Sequence, residues 1–368
     1  MTTGRSRCVA LFMLIAVAAR AASAAVTYSL VSDGLLPNGA FEQGPDESQV
    51  NGTRVMSPNA IPNWEISGFV EYIGSSHTQD DMMILPVPEG DRAVRLGNDA
   101  AIRQELCVTR QAYYSITFTA ARSCAQAEAL NVSVTPDSGV LPIQTAKHST
   151  VWLSIHNPGH EENPACGPLV DFVSIKALRH PPHHIPGNML RNGDFEEGPY
   201  IFPGVPWGVL VPPMSEDLYS PLPGWMVMSG TKVVKYVDAA HHTVPRGARA
   251  VELVAGREAA LLQEARTVPG RPYRLSFSVG DGANGCEEAL GVEAYAAQAT
   301  ARVSYESRGT GGHRRVELDF DAAEGLTRVV FHSSNYHMKP DGTLCGPVVD
   351  DVSLVPVHRH AARRRLRM

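Results

Sequence analysis

The stretch that decides the fold is Cys166-Gly167-Pro168-Leu169-Val170-Asp171, because it returns almost unchanged as Cys345-Gly346-Pro347-Val348-Val349-Asp350. Upstream, Asn38-Gly39-Ala40-Phe41-Glu42 returns as Asn192-Gly193-Asp194-Phe195-Glu196. The landmarks between these two motifs keep their order in both copies: Trp64, Arg92, Gln104, Tyr114 and Cys124 correspond to Trp225, Arg249, Gln263, Tyr273 and Cys286. The sequence therefore predicts two related domains in tandem.

The two ends of the chain predict a secreted protein. Arg5 and Arg7 precede an apolar run from Cys8 to Ala19, and the small residues Ala22-Ser23-Ala24 follow, so residues 1–24 have the pattern of a signal peptide. No later segment approaches the roughly 20 apolar residues that a membrane helix needs. Residues 358–368 form a basic tail rather than a hydrophobic anchor signal. We expect an extracellular protein without a membrane partner.

The charge balance excludes one class of partner. Without residues 1–24 the chain has 29 basic and 38 acidic side chains, a formal charge of −9. An acidic body argues against nucleic acid, whose phosphates require a basic surface. All 14 histidines lie in this part of the chain, so its charge becomes less negative as the pH falls toward about 5.

The cysteines predict one disulfide in each domain. In an oxidising compartment the repeat pairs Cys124 with Cys166 and Cys286 with Cys345, because these residues hold the same relative places. Cys107 has no counterpart in the second copy, which leaves either a buried thiol, the favoured interpretation, or an intermolecular bond. No CxxC pair is present to suggest zinc.

The domain boundaries follow from a linker rich in proline and histidine at residues 179–187. Domain 1 is expected at 26–178 and domain 2 at 188–357. Residues 114–119 and 273–278 alternate large apolar with polar side chains, which is typical of half-buried strands. Helical periodicity is scarce, so we predict an all-β fold of two β-sandwiches.

Domain 1 is the shorter copy. The spacing from Cys286 to Cys345 is 59 positions, whereas Cys124 to Cys166 is 42, so 17 residues near Val303 to Phe320 have no counterpart. That length corresponds to one strand and a turn. Domain 1 is therefore expected to have rearranged its sheet, exposed an edge or been compromised.

The duplicated motifs also resemble a known family. Asn-Gly-Asp-Phe-Glu, Pro-Gly-Trp and Cys-Gly-Pro-Val-Val-Asp-Asp, written twice behind a signal peptide, are similar to the plant cell-wall proteins grouped as domain of unknown function 642. The resemblance covers essentially the whole mature chain. It implies two galactose-binding-like jelly-roll domains in the cell wall or apoplast, binding to pectin or cellulose, association with pectin methylesterase, and no established catalytic activity.

Acidic residues at the start and end of each domain suggest a structural calcium site, as in similar carbohydrate-binding modules. Because the first and last strands of a jelly roll can be neighbours, Glu42 could meet Asp171, and Glu196 could meet Asp350 and Asp351. Carboxylate and carbonyl oxygens suit Ca²⁺. The alternative is that the glutamates cap turns and the aspartates accept hydrogen bonds from backbone amides.

Several residues are candidates for sugar contact. Trp64 and Trp225 are interpreted as core residues, whereas Trp207, in a proline-rich stretch without a counterpart in domain 1, is the better candidate for an exposed contact, although a loop anchor is favoured over a sugar platform. Four arginines could face an acidic sugar such as galacturonate, although the favoured interpretation is that they are solvated strand ends or form ion pairs within the domain: Arg92, Arg95, Arg246 and Arg249. The histidines of 179–187, and His241 with His242, are interpreted as linker and loop residues rather than metal ligands.

The sequon at Asn51 predicts N-glycosylation, and the sequon at Asn131 does so less strongly because it lies in a predicted strand. No Gly-x-Ser-x-Gly elbow, His-Glu-x-x-His helix or phosphate-binding glycine loop is present, so a non-catalytic protein is expected. The leading hypothesis is binding to a wall polysaccharide, and the alternative is a module that docks and modulates a wall enzyme.

Overall fold

The computed structural model describes residues 32–75, 78–79, 83–84, 87–124, 128–136, 149–160, 163–179, 181, 183–216 and 220–357. The predicted signal peptide and basic tail lie outside these residues. The chain divides into two compact units, Met1–Ala177 and Leu178–Met368, called domain 1 and domain 2 below. In the described residues no helix is long and apolar enough to cross a membrane.

Domain 1 is built from thirteen described strands and one short 3-10 helix, Glu47–Gln49. The strands are β1 (Gly34–Leu35), β2 (Val50–Asn51), β3 (Arg54–Val55), β4 (Glu65–Ser67), β5 (Val70–Gly74), β6 (Thr78–Gln79), β7 (Met83–Ile84), β8 (Arg92–Leu96), β9 (Ala101–Cys107), β10 (Tyr113–Ala121), β11 (Asn131–Thr135), β12 (Thr150–His156) and β13 (Leu169–Leu178). The larger sheet has the order β1-β13-β8-β5-β3-β2, with β10 also paired to β13, and the smaller sheet has the order β11-β12-β9-β4.

Domain 2 repeats this arrangement with longer strands and has one 3-10 helix, Gly256–Glu258. Its strands are β14 (Val209–Val211), β15 (Met226–Met228), β16 (Val234–Asp238), β17 (Arg249–Glu252), β18 (Ala260–Arg266), β19 (Pro272–Asp281), β20 (Glu287–Ala296), β21 (Ala299–Arg308), β22 (Gly312–Asp321), β23 (Leu326–Ser333), β24 (His337–Met338), β25 (Leu344–Cys345) and β26 (Val348–Pro356). The larger sheet is ordered β14-β16-β17-β26-β19-β22 and the smaller sheet β15-β18-β23-β20-β21.

In each domain the two sheets enclose one apolar core, as strand alternation predicts. In domain 2 the larger sheet contributes Leu275 and Val349, and the smaller sheet contributes Leu261 and Phe331, to a single buried cluster. Domain 1 has the corresponding cluster, with Val170 from one sheet and Leu153 from the other. The predicted all-β fold of two tandem jelly-roll sandwiches is confirmed.

The repeated glycines mark close backbone contacts. A Cβ on Gly193 would lie 2.1 Å from the carbonyl oxygen of Val352 in the last strand, and Gly39 meets Val173 in the same way at 2.2 Å. Gly346 is similarly enclosed. No larger residue fits such an approach, because the obstacle is backbone rather than a movable side chain. The repeated Asn-Gly and Cys-Gly-Pro motifs therefore hold each end of a domain against the opposite strand.

The two repeated tryptophans are core residues. Trp225 is fully buried, packs against Phe195 with ring centroids 5.2 Å apart, and donates its indole N–H to the carbonyl oxygen of Asn192 at 2.9 Å. Trp64 has the same contacts with Phe41 and Asn38. Each indole thus satisfies its polar atom inside the core, which leaves neither ring free to stack on a sugar.

The structure contains the two predicted disulfides, Cys124–Cys166 and Cys286–Cys345. Cys107 is buried, as expected, but the interpretation of a free thiol is wrong because its sulfur is disulfide-bonded.

The segment that is longer in domain 2 forms a hairpin whose two strands lie in different sheets. In domain 2 the hairpin β21–β22 adds a strand to each sheet, because β21 pairs with β20 and β22 pairs with β19. Among the described residues of domain 1 no strand corresponds to either. Tyr114, Ile116 and Phe118 of β10 are only half-buried, whereas Tyr273 of β19, like its neighbours Leu275 and Phe277, is almost fully buried. In the part of domain 1 that the structure describes, β10 pairs with β13 alone.

The predicted linker is partly docked onto domain 2. The backbone N–H of Arg179 donates to Glu197 at 3.0 Å, and the carbonyl of His183 accepts from the N–H of Asn192 at 2.7 Å. These bonds attach the segment to the first motif of domain 2, so it is not a free spacer.

Candidate functional site

The acidic residues at the two ends of domain 1 each accept backbone hydrogen bonds, some of them from the segment 89–92. Glu42 accepts hydrogen bonds from the backbone N–H of Asp91 at 2.9 Å and of Arg92 at 3.3 Å. Asp171 accepts from the N–H of Phe172 at 2.8 Å and of Glu89 at 3.2 Å. Burial chiefly, with smaller contributions from the charges of Glu42 and Glu89, raises the pKa of Asp171 to about 8 against the lowering effect of the two amides.

Domain 2 repeats this arrangement. Glu196 accepts from the N–H of Ala248 at 2.6 Å and of Arg249 at 3.2 Å. Asp350 accepts from Asp351 at 2.6 Å and from Arg246 at 2.7 Å. Burial raises the pKa of Asp350 to about 8, with a further contribution from the charges of Asp351 and Glu196.

These pairs act chiefly as caps for the loops beside them. No group of three or more His, Cys, Asp or Glu side chains that could hold a metal occurs among the described residues. The carboxylate oxygens already accept backbone amides, which is the alternative to calcium that the sequence left open. A calcium ion, which takes six to eight oxygens, would require backbone carbonyls to complete the coordination, and the ion remains a prediction tested in the Discussion.

The four arginines proposed for an acidic sugar differ in accessibility. Arg95 is only 4% exposed, and its guanidinium pairs with Glu71. Arg249 is partly covered and lies 3.3 Å from Asp238. Arg246 is largely exposed and pairs with Asp351 at 2.9 Å, and Arg92 is exposed above the ring of Tyr72. Arg92 and Arg246 are therefore the accessible members of the four.

Trp207 is the one exposed tryptophan of the described residues, with 65% of its surface accessible. Its loop is anchored by Phe202 and Val205, which are buried. Gly208 then has a φ of +71°, and a Cβ there would lie 2.5 Å from the carbonyl oxygen of Tyr236. The loop therefore holds the indole outward at the edge of the larger sheet, next to the exposed Leu210.

The outward face of the smaller sheet in domain 2 carries a cluster that the sequence did not reveal. Glu293 of β20 is almost fully buried, although it points away from the core, because Arg257 of the 3-10 helix covers it with a short ion pair. Tyr295 donates its hydroxyl to Glu293 at 2.6 Å and stacks on His332, with ring centroids 5.4 Å apart. Arg302 lies 3.5 Å from the same carboxylate and is largely exposed.

Domain 1 has the corresponding face. On β12, Val151, Leu153 and Ile155 point into the core, so Trp152, Ser154 and His156 point outward. The guanidinium of Arg103 lies 5.0 Å from the centre of the Trp152 ring and pairs with Glu65 at 2.6 Å. Half-buried Trp152 therefore lies among polar side chains on an open sheet surface.

Each of the two outward faces carries a histidine at the equivalent position. Leu153 lies opposite Gln104, and Val329 lies opposite the repeat-equivalent Gln263, so His156 and His332 hold equivalent positions. His156 lies 2.8 Å from Asp99, and His332 lies 3.8 Å from Glu293. Burial lowers the pKa of His332. Each face thus combines an aromatic ring, this histidine and an arginine paired with a carboxylate.

Comparison with known proteins follows the same two-domain division. Residues 34–176 and 188–355 each match the family described as protein of unknown function (DUF642). The chain belongs to this family. It is 51% identical over 368 residues to the Arabidopsis thaliana protein DUF642 L-GALACTONO-1,4-LACTONE-RESPONSIVE GENE 2, a match covering 95% of this chain and 98% of the relative. Protein TEEBE, also from Arabidopsis thaliana, is 43% identical and covers 87% of this chain and 90% of its own length. The resemblance inferred from the repeated motifs is confirmed.

Solved structures similar to this DUF642 protein include two carbohydrate-binding modules. TmCBM61, solved in complex with β-1,4-galactotriose, is 18% identical, covers 46% of this chain and 99% of its own, and gives a TM-score of 0.31. The CBM22-1–CBM22-2 tandem of Paenibacillus barcinonensis Xyn10C is 14% identical, covers 91% of this chain and 100% of its own, and gives a TM-score of 0.26.

Proposed function

We propose that this DUF642 protein is a secreted, non-catalytic protein of the plant cell wall that binds a wall polysaccharide, pectin or cellulose, through the outward faces of its two smaller sheets. The observation that carries the proposal is the aromatic and charged cluster on each face: Trp152 with Arg103 in domain 1, and Tyr295 with Arg302 in domain 2.

The chemistry of these faces suits a sugar chain. A pyranose offers an apolar face to an aromatic ring and hydroxyls to the polar groups around it. The carboxylate of galacturonate would in addition accept hydrogen bonds from an exposed guanidinium such as that of Arg302. Two such faces on one chain would increase retention on a repeating polymer through effective concentration, wherever both can reach it.

Trp207 is proposed as a further contact. An exposed indole on an anchored loop supplies an apolar platform that loses little conformational entropy on binding. Arg92 and Arg246, the accessible arginines of the original four, are proposed to contact acidic sugars only.

A second candidate function is favoured by β10 of domain 1, which pairs with β13 alone among the strands that the structure describes. Half-buried Tyr114, Ile116 and Phe118 on β10 lie where domain 2 uses β22 to cover the equivalent residues. An edge of this kind accepts an added strand from another protein. In this reading the chain docks a wall enzyme such as a pectin methylesterase and modulates it.

Retention on immobilised pectin and on cellulose distinguishes the two functions. Binding of the purified protein at both low and moderate salt supports direct polysaccharide recognition, and retention that requires an added wall esterase supports the docking function. In protein produced without N-glycans, Trp152→Ala and Tyr295→Ala should each weaken direct retention, whereas substitution of Ile116 should weaken only the esterase-dependent form.

The pH dependence of pectin binding reports on histidine charge. We expect binding to anionic pectin to strengthen as the pH falls toward about 5. His242 and His332 should contribute least, because burial lowers the pKa of both. A flat pH profile would remove histidine charge from the explanation.

A further inference from the structure

The sequon Asn131-Val132-Ser133 lies on the proposed binding face of domain 1. Val132 and Val134 of β11 pack against the core, so Asn131 and Ser133 point outward from the smaller sheet. Asn131 is exposed. An N-glycan on this side chain would therefore extend from the outward face.

The strand register places the sequon beside the candidate sugar-contacting residues. Asn131 lies opposite His156, and Ser133 lies opposite Ser154. Thr135, four residues along β11 and about 13 Å from Asn131 at 3.3 Å per residue, lies opposite Trp152. Opposite side chains on one face are direct neighbours, so a branched glycan at Asn131 would share its surface with His156 and Trp152.

The outward face of the smaller sheet in domain 2 has no sequon at the corresponding position. Glu293 holds the position equivalent to Asn131, because each lies opposite the equivalent histidine. Glu293 begins no sequon, and Arg257 covers it. The other sequon, at Asn51, lies on the β2–β3 hairpin of the larger sheet of domain 1, so a glycan there would leave the smaller sheet free.

We propose that N-glycosylation of Asn131 covers the Trp152 face of domain 1 and confines polysaccharide binding by the glycosylated protein to domain 2. This rests on the proposed function. Loss of the glycan opens a second binding face on the same chain, and the avidity of two sites on one polymer then raises retention by about tenfold or more. The occupancy of a single sequon thereby sets the binding strength.

The test uses the full-length protein secreted from a eukaryotic cell, with peptide mass spectrometry at Asn131 and affinity measurements on pectin and cellulose. Asn131→Gln and Ser133→Ala both remove the sequon and should both tighten binding by about tenfold. Asn51→Gln is the matched control and should bind like the unsubstituted protein. The gain should disappear in the double variant Asn131→Gln/Trp152→Ala.

The outcomes separate this inference from the proposed function. An unmodified Asn131 in the secreted protein would overturn the inference alone. The inference would also be overturned if the glycosylated protein and both Asn131 sequon variants bound pectin and cellulose with equal affinity. If no variant binds any wall polysaccharide, the proposed function fails, and the inference fails with it.

Discussion

The buried carboxylates Asp171 and Asp350 predict that the protein loses stability as the pH rises. The pKa of each is raised to about 8 in the folded state, against 3.8 for the model carboxyl group. Between these values the folded state holds a proton that the unfolded state releases. The stabilising contribution is therefore complete below about pH 4 and is lost as the pH rises through about 8.

The magnitude follows from the number of protons. One extra proton per folded domain changes the free energy of unfolding by about 1.4 kcal/mol per pH unit. Raising the pH from 5 to 7 should thus cost each domain roughly 3 kcal/mol through its aspartate. Asp350→Asn should lose this dependence in domain 2, whereas Glu324→Gln, at an exposed carboxylate, should behave like the unsubstituted protein.

The assay is urea unfolding followed by tryptophan fluorescence at pH 5 and pH 7, with a chelator present throughout. A midpoint that is unchanged, or higher at pH 7, would refute the reasoning. Added Ca²⁺ provides a second arm, because an ion bound between Glu196 and Asp350 would stabilise the ionised pair and raise the midpoint mainly at pH 7. Equal midpoints at pH 7 with calcium and with chelator would count against the ion.

Three further predictions concern single sites. Gly193→Ala places a Cβ against backbone and should destabilise domain 2 by about 2 kcal/mol or more, whereas Gly230→Ala, which meets nothing within 4 Å, should change the melting temperature little; equal melting temperatures would contradict the account of the repeated motif. Replacing Cys286 and Cys345 together by serine opens a loop of 59 residues and should cost about 4 kcal/mol by chain entropy, measured by urea unfolding, and a loss below about 1 kcal/mol would argue against it. Trp207→Ala should leave the melting temperature unchanged because the indole is exposed, but should weaken retention on the bound polysaccharide several-fold; unchanged retention would remove Trp207 from the binding surface.

Much of the fold could be predicted because the sequence contains two copies of the same domain, which can be compared with each other. The repeated Cys-Gly-Pro and Asn-Gly motifs identify the domains and their disulfides, and a tryptophan found at the same point in both copies is typical of a core residue. Strand alternation then predicts the sandwich.

The candidate binding faces could not be predicted, because they depend on pairing between strands far apart in sequence. Glu293 meets His332 only through the register of β20 with β23, and Arg257 reaches Glu293 from the 3-10 helix Gly256–Glu258. Alternation along β12 alone would have placed Trp152 and His156 on one outward face. The residues that surround Trp152 and His156 on that face are identified only by the pairing of β12 with β9 and β11.

The placement of the longer segment of domain 2 could not be predicted either. A difference of 17 residues corresponds in length to one strand and a turn. In the structure the hairpin β21–β22 of domain 2 divides between the two sheets, with one strand in each. Length alone does not reveal that a hairpin passes from one layer of a sandwich to the other.

The most direct test of the central claim is retention of the double variant Trp152→Ala/Tyr295→Ala on pectin and cellulose, beside the control Met56→Ala, which removes an exposed apolar side chain elsewhere on domain 1. The unsubstituted protein, the double variant and Met56→Ala should all show the same melting temperature within a few degrees. If the outward faces of the smaller sheets bind the polymer, the double variant loses retention while Met56→Ala keeps it. Full retention by a folded double variant would contradict the account.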